Sequence, residues 1–222
     1  MMDRDAIRAR LEAEGLVPVI RVPTAALAAR AAEALLAGGV SVFEITLTVP
    51  GALEAIAELV RRHGDRAVIG AGTVLTAEQA NACLDAGATF VVSPGLDPPT
   101  IEAARARGAA VLPGALTPTE ILTAWNAGAD LVKVFPCSAL GGASYIKALR
   151  GPLPHVKLLP TGGVTLATVR AFITAGAAAL GIGTELVDVA ALEAGRDGEI
   201  TERARALLAA VRDARAAQAR HA

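Results

Sequence analysis

Two residues stand where their types imply chemistry. Lys133 lies inside LVKVFP (131–136), flanked by apolar residues on both sides. Strand alternation would put Leu131, Lys133 and Phe135 on one face. A lysine is almost never buried without a partner or a purpose. Apolar surroundings disfavour the ammonium, and a neutral amine can attack a carbonyl and form a Schiff base. Glu44 lies inside VFEITLT (42–48), whose alternation puts Val42, Glu44, Thr46 and Thr48 on one face and Phe43, Ile45 and Leu47 on the other. A lysine and a carboxylate, each within a strand, suit a nucleophile and a general acid/base. The competing reading is a buried Lys–Glu ion pair without chemistry. Such pairs are costly to desolvate and weakly stabilising, which favours function.

A second signal is glycine. PTGG (160–163) and GIGTE (181–185) close two successive apolar runs. They bring Gly162, Gly163, Gly183 and Thr184 to a place where backbone N–H groups can approach an anion. A helix is expected to begin near Thr165. GAGT (70–73) puts Thr73 at the end of another run, as a substrate-orienting hydroxyl or as a cap of a tight turn. Arg21 ends the first strand, within VIRVP (19–23), as a fork for a carboxylate or phosphate or as a rim arginine facing water.

The elements that must position these residues repeat. Apolar runs occur at 16–22, 41–48, 67–74, 90–95, 109–115, 131–136, 157–163 and 179–186, their centres 20 to 26 residues apart. Helical stripes follow them, such as Leu27, Ala31, Ala34 and Leu35, then Leu53, Ile56 and Val60. Near-continuous apolar strands joined by helices imply a parallel sheet covered on its faces. Eight such units predict one (β/α)8 barrel domain spanning residues 1–222, with a doubly wound open sheet as the alternative. Barrel sites lie at the C-terminal strand ends, and phosphate sites often follow strands seven and eight. Two helices fall outside the repeat, an extra N-terminal one over 3–14 and a last one over 199–219. Both are expected to close the barrel, and the arginines of the last one to face solvent.

Composition narrows the classes. Of 222 residues, 53% are hydrophobic and 19% charged, which excludes a disordered chain. A net charge of −1 offers no broad footprint for nucleic acid. The opening MMDRDAIRARLEAEG has no apolar core of a signal peptide, and no apolar run reaches the ~18 residues of a membrane helix. Cys83 and Cys137 are too few for a disulfide framework and lack metal-ligand spacing, so a cytoplasmic home without a metal is expected. His63, His155 and His221 are scattered and expected at the surface. Ser93 and Ser138 have no recognisable histidine partner, which disfavours a serine triad. Cys137 is expected to be a small buried filler.

EITLT (44–48), GAGTVL (70–75), SPGL (93–96), LPGALTPTE (112–120), VKVFP (132–136), PTGGV (160–164) and GIGTELV (181–187) occur in this order. Together they resemble the class I aldolases that cleave 2-keto-3-deoxy-6-phosphogluconate (KDPG) and, in some members, 4-hydroxy-2-oxoglutarate (KHG). The resemblance covers residues 15 to 190. It implies a homotrimeric (β/α)8 barrel without cofactor or metal, acting on a small 2-keto acid. It implies that Lys133 forms the Schiff base and that Glu44 is the general acid/base. Thr73, Pro94 and Phe135 would shape the keto-acid pocket, and Thr161 would lie near the substrate carboxylate. Gly162, Gly163, Gly183 and Thr184 would hold the phosphate. Many members carry arginine where this chain has Thr48, and Arg21 is expected to supply that charge. Serine is common in the family at the position of Thr184, and both residues offer a hydroxyl. Thr161 favours the gluconate substrate over its galactonate epimer. The rival readings are a phosphate-binding barrel isomerase, which needs no lysine within a strand, and a sugar-phosphate sensor that has lost catalysis.

Overall fold

Strands and helices alternate as the apolar pattern requires. The computed structural model describes residues 2–220; His221 lies outside the described residues. The chain opens with α1 (Arg4–Glu14), β1 (Leu16–Ile20), α2 (Ala25–Ala37), β2 (Val42–Thr46) and α3 (Ala52–His63). Next come β3 (Val68–Gly72), α4 (Ala77–Asp85), β4 (Phe90–Val92), α5 (Pro98–Ala106), β5 (Ala110–Leu112) and β6 (Gly114–Ala115). Then follow α6 (Pro118–Asn126), β7 (Val132–Val134), a 3-10 turn (Cys137–Leu140), α7 (Ala143–Arg150) and β8 (Leu158–Pro160). The chain continues through α8 (Val169–Thr174), β9 (Leu180–Ile182), α9 (Val189–Glu193) and α10 (Asp197–Ala219).

All strand pairings are parallel. One ladder runs β5-β4-β3-β2-β1-β9 and a second runs β6-β7-β8. The run at 109–115, expected as one strand, is divided. Pro113 has no N–H to donate to a ladder, so β5 pairs with β4 while β6 pairs with β7. The carbonyl of Pro113 still accepts from Lys133 N (2.9 Å). At the other seam Thr161 bridges Gly181. The result is an α/β fold on a curled parallel sheet. The strands end earlier than the apolar runs suggest, because the glycine-rich tails turn away as loops.

Side chains alternate between two apolar clusters. Val17, Val42, Val68, Phe90, Leu112, Leu131 and Leu159 share one with Ile7 and Leu11 of α1. Phe43, Ile45, Ile69, Val91, Val111, Val132 and Val134 pack in the other, with the helices. Thus α1 closes the inner cluster at the strand starts. Arg4 donates to Asp130 Oδ2 (3.0 Å), Lys157 pairs with Glu12, and Glu14 accepts from Ser41 N and Val42 N (3.0 Å each). The raised carboxyl of Glu14 reflects its burial, against which the Ser41 hydrogen bonds pull.

The last helix packs along α2 and α8, bridging helices from the two ends of the repeat. One of its arginines departs from the solvent-facing side expected for them. Its Arg215 turns inward, donating to the carbonyls of Glu12, Ala13 and Ala178 (2.8 to 2.9 Å). Gly15, with φ 71°, ends α1 where a Cβ would overlap that guanidinium. The face of α3 is also turned from the expected one. Its buried stripe is Ala52, Ala55, Ile56, Leu59 and His63, with Leu53 and Val60 at its margins. His63 is therefore buried, not at the surface, and its Nε2 meets Glu33 at 2.9 Å. His155 is exposed as expected. Among the described residues no helix is long and apolar enough to cross a membrane.

Candidate active site

Short parallel strands carry the chemistry-bearing residues to one end of the sheet. Glu44 is the middle residue of β2 and Lys133 the middle residue of β7, and both face the inner cluster. Glu44 is 1% exposed and Lys133 6%. Together with Thr161 and Gly181 they line one narrow pocket, whose remaining wall is Val17, Val19, Val92, Leu112 and Leu159.

This setting acts on the Glu44 carboxyl in two opposed ways. Burial pushes it above the usual carboxylate range, and the charges of Lys133 and Arg21 pull against that rise. The net shift is upward, which suits a group that must both take and return a proton. Glu44 Oε1 and Thr161 Oγ1 are buried and meet no hydrogen-bond partner among the described residues. Buried polar atoms are nearly always paired, so the two unpaired ones among the residues that line this pocket leave it with unmet hydrogen-bonding capacity. The ring of Phe135 stands 5.3 Å from Lys133 Nζ and is 37% exposed at the rim.

The rim is tied together by Arg21. Its Nη1 donates to Thr48 Oγ1 (3.1 Å) and its Nη2 to Thr73 Oγ1 (3.0 Å). The Thr48 hydroxyl also lies 2.8 Å from that of Thr46. Arg21 thus reaches across to the ends of β2 and β3 while it stays exposed. Thr73 has φ 58°, the one positive value outside glycine among the described residues. A β-branched residue in the left-handed region is strained, and such strain clusters at functional sites. Pro94 is half-buried against Gly114, which is the register partner of Lys133. Ser93 Oγ donates to Gly95 O (2.7 Å) and accepts from Gly114 N (3.4 Å), fixing that turn. Cys137 is buried as expected, and its thiol is pushed up to about 11 by burial.

The Thr161–Gly181 bridge sets the two glycine loops side by side. Gly162 and Gly163 both have positive φ, 95° and 77°. Among the described residues neither amide N–H finds an acceptor. The expected helix near Thr165 begins only at Val169, because Thr165–Thr168 form a turn, and α9 likewise starts five residues past Thr184. Free backbone N–H groups, not a helix N-terminus, therefore make this corner suitable for an anion. Among the described residues no group of three or more His, Cys, Asp or Glu side chains is placed to hold a metal ion.

The model of the KDPG and KHG aldolase family matches residues 7–203. The chain belongs to the KDPG and KHG aldolase family. This aldolase is 38% identical over 190 residues to the KHG/KDPG aldolase of Escherichia coli K12, covering 86% of this chain and 89% of that one. It is also 38% identical over 172 residues to the 2-dehydro-3-deoxy-6-phosphogalactonate aldolase of the same organism, covering 77% and 83%. Among solved structures, it resembles the KDPG aldolase of Legionella pneumophila with pyruvate captured as a covalent carbinolamine intermediate. The TM-score is 0.84 at 33% identity, covering 90% of this chain and 97% of that one.

Two contributors to this aldolase's site were missed in the sequence. A Cβ at Gly72 would overlap the Glu44 carboxylate, and a Cβ at Gly181 would overlap the Thr161 hydroxyl. Each glycine makes room for the polar group beside it. The available signal was glycine inside otherwise apolar strands next to a polar neighbour.

Proposed function

We propose that this aldolase cleaves KDPG to pyruvate and glyceraldehyde 3-phosphate through a Schiff base on Lys133. The observation that carries the proposal is the shared pocket of Lys133, Glu44 and Thr161, with two buried oxygens left unpaired. Lys133 gives up a proton, and its amine adds to the C2 ketone to give a carbinolamine. Glu44 supplies the proton with which water leaves, forming an iminium. Glu44 then accepts the C4 hydroxyl proton as the C3–C4 bond breaks and the aldehyde departs. The electrons of that bond pass into the iminium as an enamine. Protonation at C3 and hydrolysis release pyruvate and restore Lys133. The iminium is the electron sink, so the chemistry requires no cofactor.

Arg21 and Thr48 would help bind the substrate at the rim, with Thr73, Pro94, Phe135 and Thr161 around its keto-acid end. Gly162, Gly163, Gly183 and Thr184 would bind the phosphate. The shorter KHG, cleaved to pyruvate and glyoxylate, fits the same steps. The galactonate epimer is the second reading, favoured by the 38% identity to an aldolase named for it. We further read the two ladders as one closed (β/α)8 barrel in a single domain of residues 1–222. In it, β5 and β6 are two halves of one position and the Thr161–Gly181 bridge closes the ring. A cytoplasmic homotrimer is part of this reading, and sedimentation tests the trimer.

The test is pyruvate release by the purified chain, coupled to lactate dehydrogenase, with KDPG, its galactonate epimer and KHG compared. KDPG is expected to give the highest kcat/KM. A preference for the epimer would support the second reading, and no release from any of the three would overturn both.

A further inference from the structure

We propose that Ser138 is a phosphate-contacting residue that selects phosphorylated over unphosphorylated 2-keto acids. The inference rests on the aldolase reading above for its substrate, but its geometry stands apart from Lys133.

Ser138 lies in the 3-10 turn Cys137–Leu140 that follows the lysine strand. Its side chain covers the glycine pair of the neighbouring loop. A Cβ on Gly163 would come within 2.8 Å of Ser138 Cβ, and one on Gly162 would lie 3.6 Å from Ser138 Oγ. The hydroxyl is therefore beside the two amide N–H groups that find no acceptor. Ser138 is exposed, and among the described residues its hydroxyl makes no hydrogen bond. A free O–H next to two free N–H groups puts three donors in one corner, which suits the several acceptor oxygens of a phosphate group.

Both sides of this corner are pinned. Cys137 N donates to Thr161 O (2.9 Å), and Gly142 N donates to Cys137 O (3.1 Å). Across the corner, Thr168 Oγ1 donates to Gly163 O and accepts from Thr165 N (2.9 and 2.8 Å). The backbone on both sides of Ser138 is thus held when no anion is present, so little backbone entropy is lost on binding. Ser138 also follows Lys133 by only five residues on one continuous stretch. The imine position and the phosphate contact are thereby set at a fixed separation, which selects chain length as well as charge.

The test compares the wild type with Ser138→Ala and Ser138→Asp. Glycerol 3-phosphate is titrated by NMR for its Kd, and kcat/KM is measured for KDPG and for KHG. Ser138→Ala should weaken glycerol 3-phosphate binding roughly tenfold, the size of one hydrogen bond to a charged acceptor. The ratio of kcat/KM for KDPG over KHG should fall by a similar factor. Ser138→Asp should lower both further through like-charge repulsion. A Kd within twofold of wild type, or equal losses on both substrates, would overturn the proposal. A wild type that binds glycerol 3-phosphate through Ser138 but cleaves neither acid would uphold the contact while the aldolase reading falls. Cleavage by a wild type that does not bind glycerol 3-phosphate would overturn the Ser138 contact alone.

Discussion

Gly72 and Glu44 compete for one volume: a Cβ on Gly72 would overlap the Glu44 carboxylate. The register pairs Gly72 with Thr46, two residues along β2 from Glu44, so the carboxylate leans over the glycine. Gly72→Ala should push Glu44 off its position. A misplacement of about 1 Å can cost about 10²-fold in rate, so kcat should fall on that order. Steady-state kinetics and a melting curve on one preparation check this. A folded variant within twofold of wild-type kcat would show that the contact does not place the carboxylate.

Glu44→Gln should keep the shape of the pocket and lose its proton transfer. Such a group contributes about 10²–10⁴-fold, so kcat should drop within that range while substrate still binds. Stability should move the other way. The folded carboxyl is raised by burial, so the folded chain binds that proton more tightly than the unfolded one. This contribution is complete below the ordinary carboxylate range and is lost as pH rises through the elevated value. Above it, the buried charge costs stability that Lys133 and Arg21 only partly offset. Urea denaturation should find Glu44→Gln more stable than wild type at about pH 8, with the gap closing towards about pH 4. A gap of the opposite sign at the higher pH would contradict the burial argument.

Arg21→Ala should act on binding and on pH together. It removes the fork over Thr48 and Thr73 and one of the two cations that restrain the Glu44 carboxyl. KM should rise roughly tenfold, as for one lost charge-assisted hydrogen bond. The acid limb of the kcat profile should move to higher pH, because the carboxyl rises further. Arg21→Lys should restore much of the pH shift and less of the KM, since it keeps the charge but not the fork. Unchanged KM and an unmoved limb in Arg21→Ala would remove Arg21 from the site.

Much of this was readable before any coordinates. Lys133 and Glu44 stood out because a charged residue inside an apolar strand has few innocent explanations, and alternation then fixed their shared face. The glycine loops were visible for the same reason of misplaced type. Other features depend on distant contacts. The resemblance tied Arg21 to the position of Thr48, but nothing near Arg21 in the chain says that its fork also closes on Thr73, 52 residues away. His63 reads as a surface residue from the sequence because Leu53 and Val60, the more apolar-looking stripe, lie one position away from the face that α3 buries. The break in the strand at 109–115 was signalled by Pro113, whose missing N–H was outweighed by the apolar residues around it. The left-handed Thr73 was hidden because its residue type argues against that conformation.

The central claim is that Lys133 forms an imine with the keto acid. Borohydride reduction in the presence of pyruvate, followed by peptide mass mapping, tests it most directly. The account predicts one stable adduct, on the peptide carrying Lys133, and none in Lys133→Ala. An adduct on another lysine, or none in folded wild-type protein, would contradict it.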